Sequence, residues 1–197
     1  ADGTQILFRK LGEGTAWSFA FADRVETCVF PWWEDAEPRD WAIRVWDHRK
    51  GAEIASLPSD FASSGPMALS PDGATLARAH CWEVTLFALP EGRETGRFSI
   101  PGVEMFPIHG DKETVQALAF SHRGDLLALG TTSGRIRFRD LAAGRFVRDV
   151  KAHENWVTTL AFSPDDRALA SSGWDDSVKV WEVASGGAIF DFSGQRG

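Results

Sequence analysis

The stretch that decides the fold is AHENWVTTLAFSPDDRALASSGWDDSVKVWE, which runs from Ala152 to Glu182. Its last seven residues, DSVKVWE from Asp176, alternate apolar and polar side chains, which is typical of a strand with one buried face. Before them lies AFSPDD, and its counterpart earlier in the chain reads ALSPDG from Ala68 to Gly73. Pro presets one turn dihedral and Gly accepts a positive φ, so an apolar strand end followed by this turn predicts a tight hairpin.

Both signals recur four times along the 197 residues. The alternating runs are WAIRVWD (Trp41 to Asp47), WEVTLFA (Trp82 to Ala88), GRIRFRD (Gly134 to Asp140) and DSVKVWE. Their aligned positions, which lie 41, 52 and 42 residues apart, are Trp46, Phe87, Arg139 and Trp181. The chain is therefore an internal repeat, which is the first feature to establish in any sequence.

Each unit reads as four short strands: an outer strand, an inner strand, a hairpin, a third strand, a turn and a fourth strand. A period of about 40–45 residues with four strands per unit is typical of a β-propeller blade. The sequence thus predicts an all-β fold with repeats at about 3–48, 49–90, 91–141 and 142–183. Residues 184–197 then form a trailing outer strand.

These motifs resemble the WD-repeat family of β-propellers, over nearly the whole chain and most strongly in the fourth repeat. The resemblance implies a hydrogen-bonded tetrad of His, Ser or Thr, Asp and Trp within a blade. In the fourth repeat these residues are His153, Ser171, Asp175 and Trp181. The third repeat holds Asp111, Leu129, Ser133 and Arg139 in the same slots, so we expect no such tetrad there.

Four repeats are compatible with three arrangements of the propeller. An uncapped repeat leaves an apolar face exposed, and GGAIFDFSGQRG at the end reads as the outer strand of a fifth unit. The first expectation is therefore an incomplete propeller, part of a larger ring or a longer parent chain. Alternatively, two copies associate to complete a ring, or Ala188–Phe192 joins the first repeat and closes a small one.

Composition excludes several classes of function. With 21 basic and 28 acidic residues the net charge is −7, which argues against nucleic-acid binding. No apolar run approaches the roughly 20 residues of a membrane-spanning helix, and no secretory signal opens the sequence. The two cysteines, Cys28 and Cys81, form no CxxC motif, so a reducing compartment, the cytoplasm, is the default expectation.

No motif predicts catalysis. The sequence contains no glycine-rich phosphate loop, no HExxH metal motif and no GxSxG nucleophile elbow. Its five histidines are scattered, and we expect His153 to be a structural hydrogen-bonding residue rather than a catalytic base. The prediction is a protein that is not an enzyme and that needs no cofactor and no metal.

The positions of insertions and tryptophans predict a binding surface. Chain direction alternates strand by strand, so the insertions at Pro31–Asp40 and Ile100–Glu113 open on one face, and insertions on one side often mark the binding face of repeat proteins. Tryptophan is favoured at binding hot spots, although any single one could instead pack between blades. The predicted partner-binding residues are Trp32, Trp33, Glu34, Asp35, Glu37, Trp41, Met105, Phe106, Trp156 and Trp174.

The sequence therefore predicts a scaffold that binds a protein or peptide partner through this loop-rich face. Acidic groups beside the indoles favour a partner with a basic segment. The alternative function is an accessory propeller domain or fragment of a larger multidomain signalling protein or enzyme.

Overall fold

The structure, a computed structural model, describes residues 20–21, 27–32, 42–47, 52–58, 65–102 and 113–192. Within these ranges every regular element is a β-strand and none is a helix, which confirms the all-β prediction. Four antiparallel sheets of four strands each follow one another along the chain, as expected for the blades of a propeller.

The strands of each sheet are consecutive in sequence. Sheet one contains β1 (Ala20–Phe21), β2 (Thr27–Trp32), β3 (Ala42–Asp47) and β4 (Ala52–Pro58). Sheet two contains β5 (Met67–Leu69), β6 (Thr75–His80), β7 (Glu83–Ala88) and β8 (Arg93–Ser99). Sheet three contains β9 (Val115–Phe120), β10 (Leu126–Thr131), β11 (Arg135–Asp140) and β12 (Arg145–Lys151). Sheet four contains β13 (Val157–Phe162), β14 (Ala168–Gly173), β15 (Val178–Glu182) and β16 (Ala188–Asp191).

The trailing strand belongs to the sheet that precedes it. β16 pairs antiparallel with β15, so the alternative in which Ala188–Phe192 joins the first repeat is wrong. The reason is local: the connection from Glu182 to Ala188 is a short hairpin, closed by a hydrogen bond from the Gly186 N–H to the Glu182 carbonyl at 2.7 Å. A two-stranded hairpin needs no long-range partner to form its ladder.

The repeat is visible in the register between the third and fourth strands of every sheet. Each fourth strand carries a β-bulge at the same place, where the pairing skips one residue: Ile54, Thr95, Val147 and Ile189. Each bulge lies next to the pair formed by the aligned residue of the third strand: Trp46, Phe87, Arg139 and Trp181. A bulge changes the direction of a strand and increases its twist, so the four sheets share one local geometry at this slot.

The sheets stack through three apolar clusters, each formed by two adjacent sheets. The first joins sheets one and two, the second joins sheets two and three, and the third joins sheets three and four. In the third cluster, Phe138 of sheet three meets Phe162 of sheet four edge to face, with ring centroids 6.3 Å apart. Among the described residues the row of sheets does not close into a ring.

The hairpins between the first two strands of sheets two, three and four share one construction. A serine opens each hairpin, and its Oγ accepts the backbone N–H five residues later; the serines are Ser70, Ser121 and Ser163. The residue three positions after each serine has positive φ: Gly73 at 68°, Gly124 at 76° and Asp166 at 58°. The hairpin predicted from the Pro-Asp-Gly pattern is therefore present. We call the side of the sheets that carries these hairpins the hairpin face.

Asp166 links sheet four to sheet three across the hairpin face. Its buried carboxylate accepts the backbone N–H groups of His122 at 2.7 Å and Arg123 at 2.9 Å. Sheet three has Gly124 at the same hairpin position and so has no side chain there to reach sheet two. A cavity of about 540 Å³ lies at that junction, between Pro71 and Asp72 on one side and His122 on the other.

Candidate functional site

The opposite side of the sheets carries the longer connections, and we call it the loop face. Backbone hydrogen bonds join neighbouring connections there. The Val115 N–H donates to the Cys81 carbonyl at 2.7 Å, and the Trp174 N–H donates to the Trp156 carbonyl at 2.9 Å. The connection between sheets and the turn between the second and third strands of a sheet therefore lie on the same face, as the alternation of chain direction predicts.

Trp156 and Trp174 form a stacked pair of indoles on the loop face, here called the Trp pair. Their ring centroids are 4.6 Å apart and their planes differ by 11°. Trp156 is 37% exposed and Trp174 is 62% exposed. Large aromatic side chains are normally buried, so two indoles that are stacked on each other and open to solvent mark this position as a candidate binding surface.

Acidic residues flank the Trp pair in the sequence. Glu154, two residues before Trp156, has an 88% exposed side chain, and Asp175 and Asp176 directly follow Trp174. The nearest basic group on these segments is Lys151, whose Nζ lies 3.9 Å from a Glu154 carboxylate oxygen. The surface therefore combines apolar ring area with a net negative charge, which favours a cationic ligand.

A buried hydrogen-bond network holds the two segments that carry the Trp pair. His153 Nδ1 lies 2.9 Å from Asp175 Oδ1, and His153 Nε2 lies 2.7 Å from Ser171 Oγ. The indole Nε1 of Trp181 donates to the same Ser171 oxygen at 2.9 Å. The structure therefore brings together all four residues that the resemblance assigned to a tetrad.

The partners limit the direction of the hydrogen bonds in this network. An indole N–H can only donate, so Ser171 Oγ accepts from Trp181, and its own hydrogen can be donated to His153 Nε2 at 2.7 Å. His153 Nδ1–H then donates toward Asp175, and Ser177 Oγ donates to Asp175 Oδ1 at 2.7 Å. The imidazole is fully buried and hydrogen-bonded at both nitrogens, which suits a structural residue.

Asp175 is the charged end of the network. Burial by itself raises the pKa of this carboxyl, but donors outweigh burial: the Ser177 hydroxyl, the Glu154 backbone N–H and the His153 ring. Together they hold the pKa well below its ordinary value of 3.8, so Asp175 is ionised at neutral pH. Its charge both anchors the turn and adds to the acidic surroundings of the Trp pair.

Sheet three uses a different polar network on the loop face. Glu113 Oε1 accepts from Thr131 Oγ1 at 2.6 Å and from Arg137 Nη1 at 2.8 Å, and it also bonds the Ser133 hydroxyl. Burial raises the pKa of Glu113, but these donors lower it overall. In the tetrad slots, Leu129 is buried and Ser133 bonds Glu113, while the Arg139 guanidinium lies 3.8 Å above the Phe98 ring.

Sequence reasoning missed Glu113 and Arg137. Arg137 is nearly fully buried, with a side chain 7% exposed, and it also reaches Asp149 at 3.3 Å. The available signal was the spacing of GRIRFRD, where Arg135, Arg137 and Arg139 alternate on one face of a strand. Three arginines on one face need acidic or aromatic neighbours, and here Glu113 and Phe98 come from distant positions in the chain.

The structure gives positions for three of the ten predicted partner-binding residues. Trp156 and Trp174 lie together in the Trp pair, and Trp32 ends strand β2, where its backbone alone is described. The remaining seven lie outside the described residues: Trp33, Glu34, Asp35, Glu37, Trp41, Met105 and Phe106. Trp82, which shares a sequence slot with Trp41, is half-buried and packs against the apolar cluster between sheets two and three.

The described part of the chain has no cluster of metal-binding side chains. No three His, Cys, Asp or Glu side chains lie there in an arrangement that could hold a metal ion. No described helix has the length and apolar character needed to cross a membrane.

Two family models match the chain. One, described as "WD domain, G-beta repeat", matches residues 144–182. The other, described as "Anaphase-promoting complex subunit 4 WD40 domain", matches residues 94–158. Together they cover the parts of sheets two to four that carry the clearest repeat.

Several known proteins are similar over most of the chain. It is 30% identical over 148 residues to WD repeat-containing protein SL1-17 of Schistosoma mansoni, covering 75% of this chain and 46% of that protein. It is 27% identical over 154 residues to human WD repeat-containing protein 90, covering 76% of this chain and 9% of that protein. It is 26% identical over 163 residues to Periodic tryptophan protein 2 of Arabidopsis thaliana, covering 80% of this chain and 17% of that protein. The chain thus spans less than half the length of each of these relatives.

Proposed function

Because the chain belongs to the WD-repeat family, we propose that it is a non-catalytic scaffold whose loop face binds a protein or peptide partner. The family supports an interaction role in general. The finer proposal is that the Trp pair and its acidic surroundings form the contact, and that the partner presents a basic segment.

The observation that carries this proposal is the exposure of the Trp pair on a rigid support. The Trp174 indole is 62% exposed, yet its backbone is bonded to Trp156 and lies beside the buried His153–Asp175 pair. A preorganised aromatic surface loses little conformational entropy on binding, which improves affinity. Stacked indoles also provide a broad apolar platform at low entropic cost.

The charges support a partner with a basic segment. Glu154, Asp175 and Asp176 lie on the same two segments as the Trp pair, and Lys151 Nζ lies 3.9 Å from a Glu154 carboxylate oxygen. A guanidinium or ammonium group placed over the Trp174 ring gains a cation–π interaction and stays close to carboxylates. A peptide rich in Arg or Lys therefore fits this surface better than a neutral or acidic one.

Selection from a random peptide library displayed on phage tests the proposal. The immobilised 197-residue chain should enrich peptides rich in Arg and Lys, and Trp174→Ala together with Trp156→Ala should abolish their capture. Arg167→Ala is the matched control, because the Arg167 side chain is 88% exposed and lies in the hairpin between β13 and β14, on the hairpin face. Enrichment of neutral or acidic peptides, or equal capture by the Trp variant, would refute the proposal.

A second binding experiment includes predicted residues that lie outside the described ranges. Trp33 and Trp41 flank the acidic insertion in the first repeat, and the proposal includes them in the binding surface. Ala substitutions at Trp33, Trp41 and Trp174 should release partners captured from cell extract while the far-UV circular dichroism stays unchanged. If folded triple variants kept every partner, the loop face would not be the binding surface.

A second candidate role is that of an accessory segment within a larger protein. It is supported by the share of the relatives that the chain spans, 46% or less in the three compared above. Immunoblotting of native extract with an antibody raised against this chain separates the two roles. A band much larger than 21.7 kDa favours the accessory role, and a band at that mass favours an independent scaffold.

A further inference from the structure

The cavity of about 540 Å³ between sheets two and three lies on the hairpin face, on the opposite side of the sheets from the Trp pair. Its volume is within the roughly 300–1,000 Å³ of pockets that hold small ligands. Three apolar side chains line it, Leu86, Phe120 and Leu141, and each is only half-buried. All three also pack against the apolar cluster of this junction, so one side of that cluster is open to the cavity.

The junction between sheets three and four shows how the same space is filled elsewhere in the repeat. The β-bulge and the hairpin serine fix equivalent positions in the two junctions. The counterparts of the three lining residues are buried, at 0%, 8% and 6% exposure: Phe138, Phe162 and Val183. The cavity is therefore a property of one junction and not of the fold.

Two differences within the repeat account for the cavity. Leu86 stands where sheet three has Phe138, whose ring fills its junction edge to face against Phe162. Gly124 stands where sheet four has Asp166, whose side chain reaches the neighbouring hairpin. A Cβ added at Gly124 would come no closer than 3.7 Å to the nearest atom of that hairpin, so the space in front of it is open.

Asp72 supplies a carboxylate to the cavity wall. Its Oδ1 accepts the Ser70 hydroxyl at 2.6 Å and the Ala74 N–H at 3.0 Å, and these donors hold the pKa of Asp72 below its ordinary value, so it is ionised at neutral pH. Asp165, its counterpart in sheet four, accepts the same two bonds and also lies 3.9 Å from Arg167 Nε. Ala74 stands at the position of Arg167, so sheet two has no such cation beside its carboxylate.

The basic residues of the opposite wall already have acidic partners. His122 Nδ1 lies 3.2 Å from Asp166 Oδ1, and Arg123 Nη2 lies 3.2 Å from Asp125 Oδ2. The other polar side chains that line the cavity are uncharged: Ser70, Thr75 and Thr95. The cavity thus combines an apolar wall with one carboxylate whose charge no described basic side chain balances.

We propose that this cavity binds a primary ammonium group carried on an apolar stem, with the ammonium on Asp72 and the stem against Leu86, Phe120 and Leu141. Both hydrogen bonds of Asp72 go to Oδ1, which leaves Oδ2 for the ligand. A single free oxygen suits an ammonium, which is a compact point charge, better than a guanidinium that binds two carboxylate oxygens. The proposal is independent of the partner bound at the Trp pair.

Nuclear magnetic resonance titrations of the 197-residue chain with hexylamine, hexanol and hexanoate test the proposal, because these probes have similar stems and a positive, neutral or negative head. Hexylamine should bind about tenfold more tightly than hexanol, the worth of one hydrogen bond to a charged group, and hexanoate should bind more weakly still. The shifted amides should lie in residues 70–75 and 122–124. Equal binding of the three probes, or shifts confined to Trp156 and Trp174, would overturn the proposal.

Asp72→Asn should remove the preference for hexylamine over hexanol. Asp165→Asn is the matched control, because it alters the same pair of hairpin bonds in sheet four, where the junction is filled. It should keep the preference, as should Trp174→Ala, which separates this site from the Trp pair. A preference that survives Asp72→Asn would overturn the proposal.

Two variants that fill the cavity locate the stem. Leu86→Phe copies sheet three, and Gly124→Asn adds a neutral side chain at a φ of 76°, which Asn tolerates. Weaker binding of hexylamine in either folded variant, by at least about tenfold, supports the proposal. Undiminished binding in both would place the amine elsewhere and overturn it.

A free amine and a lysine side chain present the same chemical group. Titration with N-acetyl-lysine amide distinguishes them. Binding as tight as that of hexylamine would assign the cavity to a lysine of a protein partner, and binding of hexylamine alone would assign it to free amines. If neither probe binds, the cavity is not an ammonium site.

Discussion

The carboxylate of Asp166 accepts the backbone N–H of His122 at 2.7 Å, although the two residues are 44 positions apart and lie in different sheets. The same carboxylate accepts the N–H of Arg123, and its side chain is 2% exposed. One residue of the fourth hairpin therefore satisfies two backbone donors of the third hairpin. The junction between sheets three and four depends on this polar contact as well as on its apolar cluster.

Replacement of Asp166 by Gly should lower the free energy of unfolding by about 2 kcal/mol, because two backbone N–H groups lose a charged acceptor. Gly tolerates the positive φ of 58° at this position, so the loss reports the hydrogen bonds rather than backbone strain. Asp166→Asn is the matched control, since it keeps one acceptor oxygen and should lose less. Urea unfolding of both variants measures the difference. Equal stability of wild type and Asp166→Gly would contradict this prediction.

Replacement of Ser171 by Ala should cost roughly 2–4 kcal/mol, because the ring nitrogens of His153 and Trp181 both lose a buried partner. The neighbouring Ser172→Ala removes a half-buried hydroxyl that bonds only across to Thr158 in strand β13, and it should cost about 1 kcal/mol or less. Thermal and urea unfolding of the two variants provide the comparison. If both serines proved equally dispensable, the network would not stabilise the sheet.

The lowered pKa of Asp175 makes stability depend on pH in a defined direction. A carboxyl that binds its proton more weakly in the folded state contributes stability that is complete above its ordinary pKa of 3.8 and is lost as the pH falls below it. Asp175→Asn should therefore be less stable than wild type at pH 7, and the difference should shrink as the pH falls below 4. Unfolding measured at pH 7, 5, 4 and 3 tests this. A difference that stays constant across the series would contradict it.

Arg137 and Arg135 lie on the same strand and should differ strongly when replaced by Ala. Arg137 is 7% exposed and its loss leaves the Glu113 carboxylate without its cation, which should cost about 3 kcal/mol. Arg135 is 36% exposed and its pair with Asp149 should contribute about 0.5 kcal/mol. Chemical unfolding of the two variants measures both values. Comparable losses of unfolding free energy would show that the buried Arg137–Glu113 pair stabilises the fold no more than the exposed Arg135–Asp149 pair does.

The Trp pair should matter more for binding than for folding. Removal of the Trp174 indole leaves Trp156 unstacked, which should cost about 1 kcal/mol of stability or less, but it should weaken binding of an Arg-rich peptide at least about tenfold. Glu154→Gln should reduce the same affinity a few-fold at low salt and have no effect at high salt, because the exposed carboxylate is screened. Calorimetric titrations at two salt concentrations test both. An unaltered affinity in Trp174→Ala would remove the Trp pair from the binding surface.

The sequence by itself determined that the chain repeats and where the strands of each repeat lie, but not which four strands share a sheet, because the strand that opens each predicted repeat from the second onward pairs in the sheet before it. Strand periodicity and hairpin chemistry are local properties, and they recur in every unit, so four weak signals reinforce one another. The bulges in the fourth strands, which lie beside the partners of Trp46, Phe87, Arg139 and Trp181, follow the spacing of the aligned runs. The tetrad residues came from a resemblance, because His153 and Ser171 are 18 positions apart and no local pattern joins them.

Only the tertiary structure decided which residues meet across sheets. Sheet stacking or strand pairing brings together the segments that form three contacts. These are the hydrogen bonds of Asp166 with His122 and of Arg137 with Glu113, and the ring stacking of Trp156 with Trp174. It also decided that Val178 is exposed while its equivalents Ile43 and Ile136 are buried, although all three occupy the same slot in the repeat. Sequence pattern sets which side of a strand is apolar, whereas burial depends on whether another sheet lies against that side.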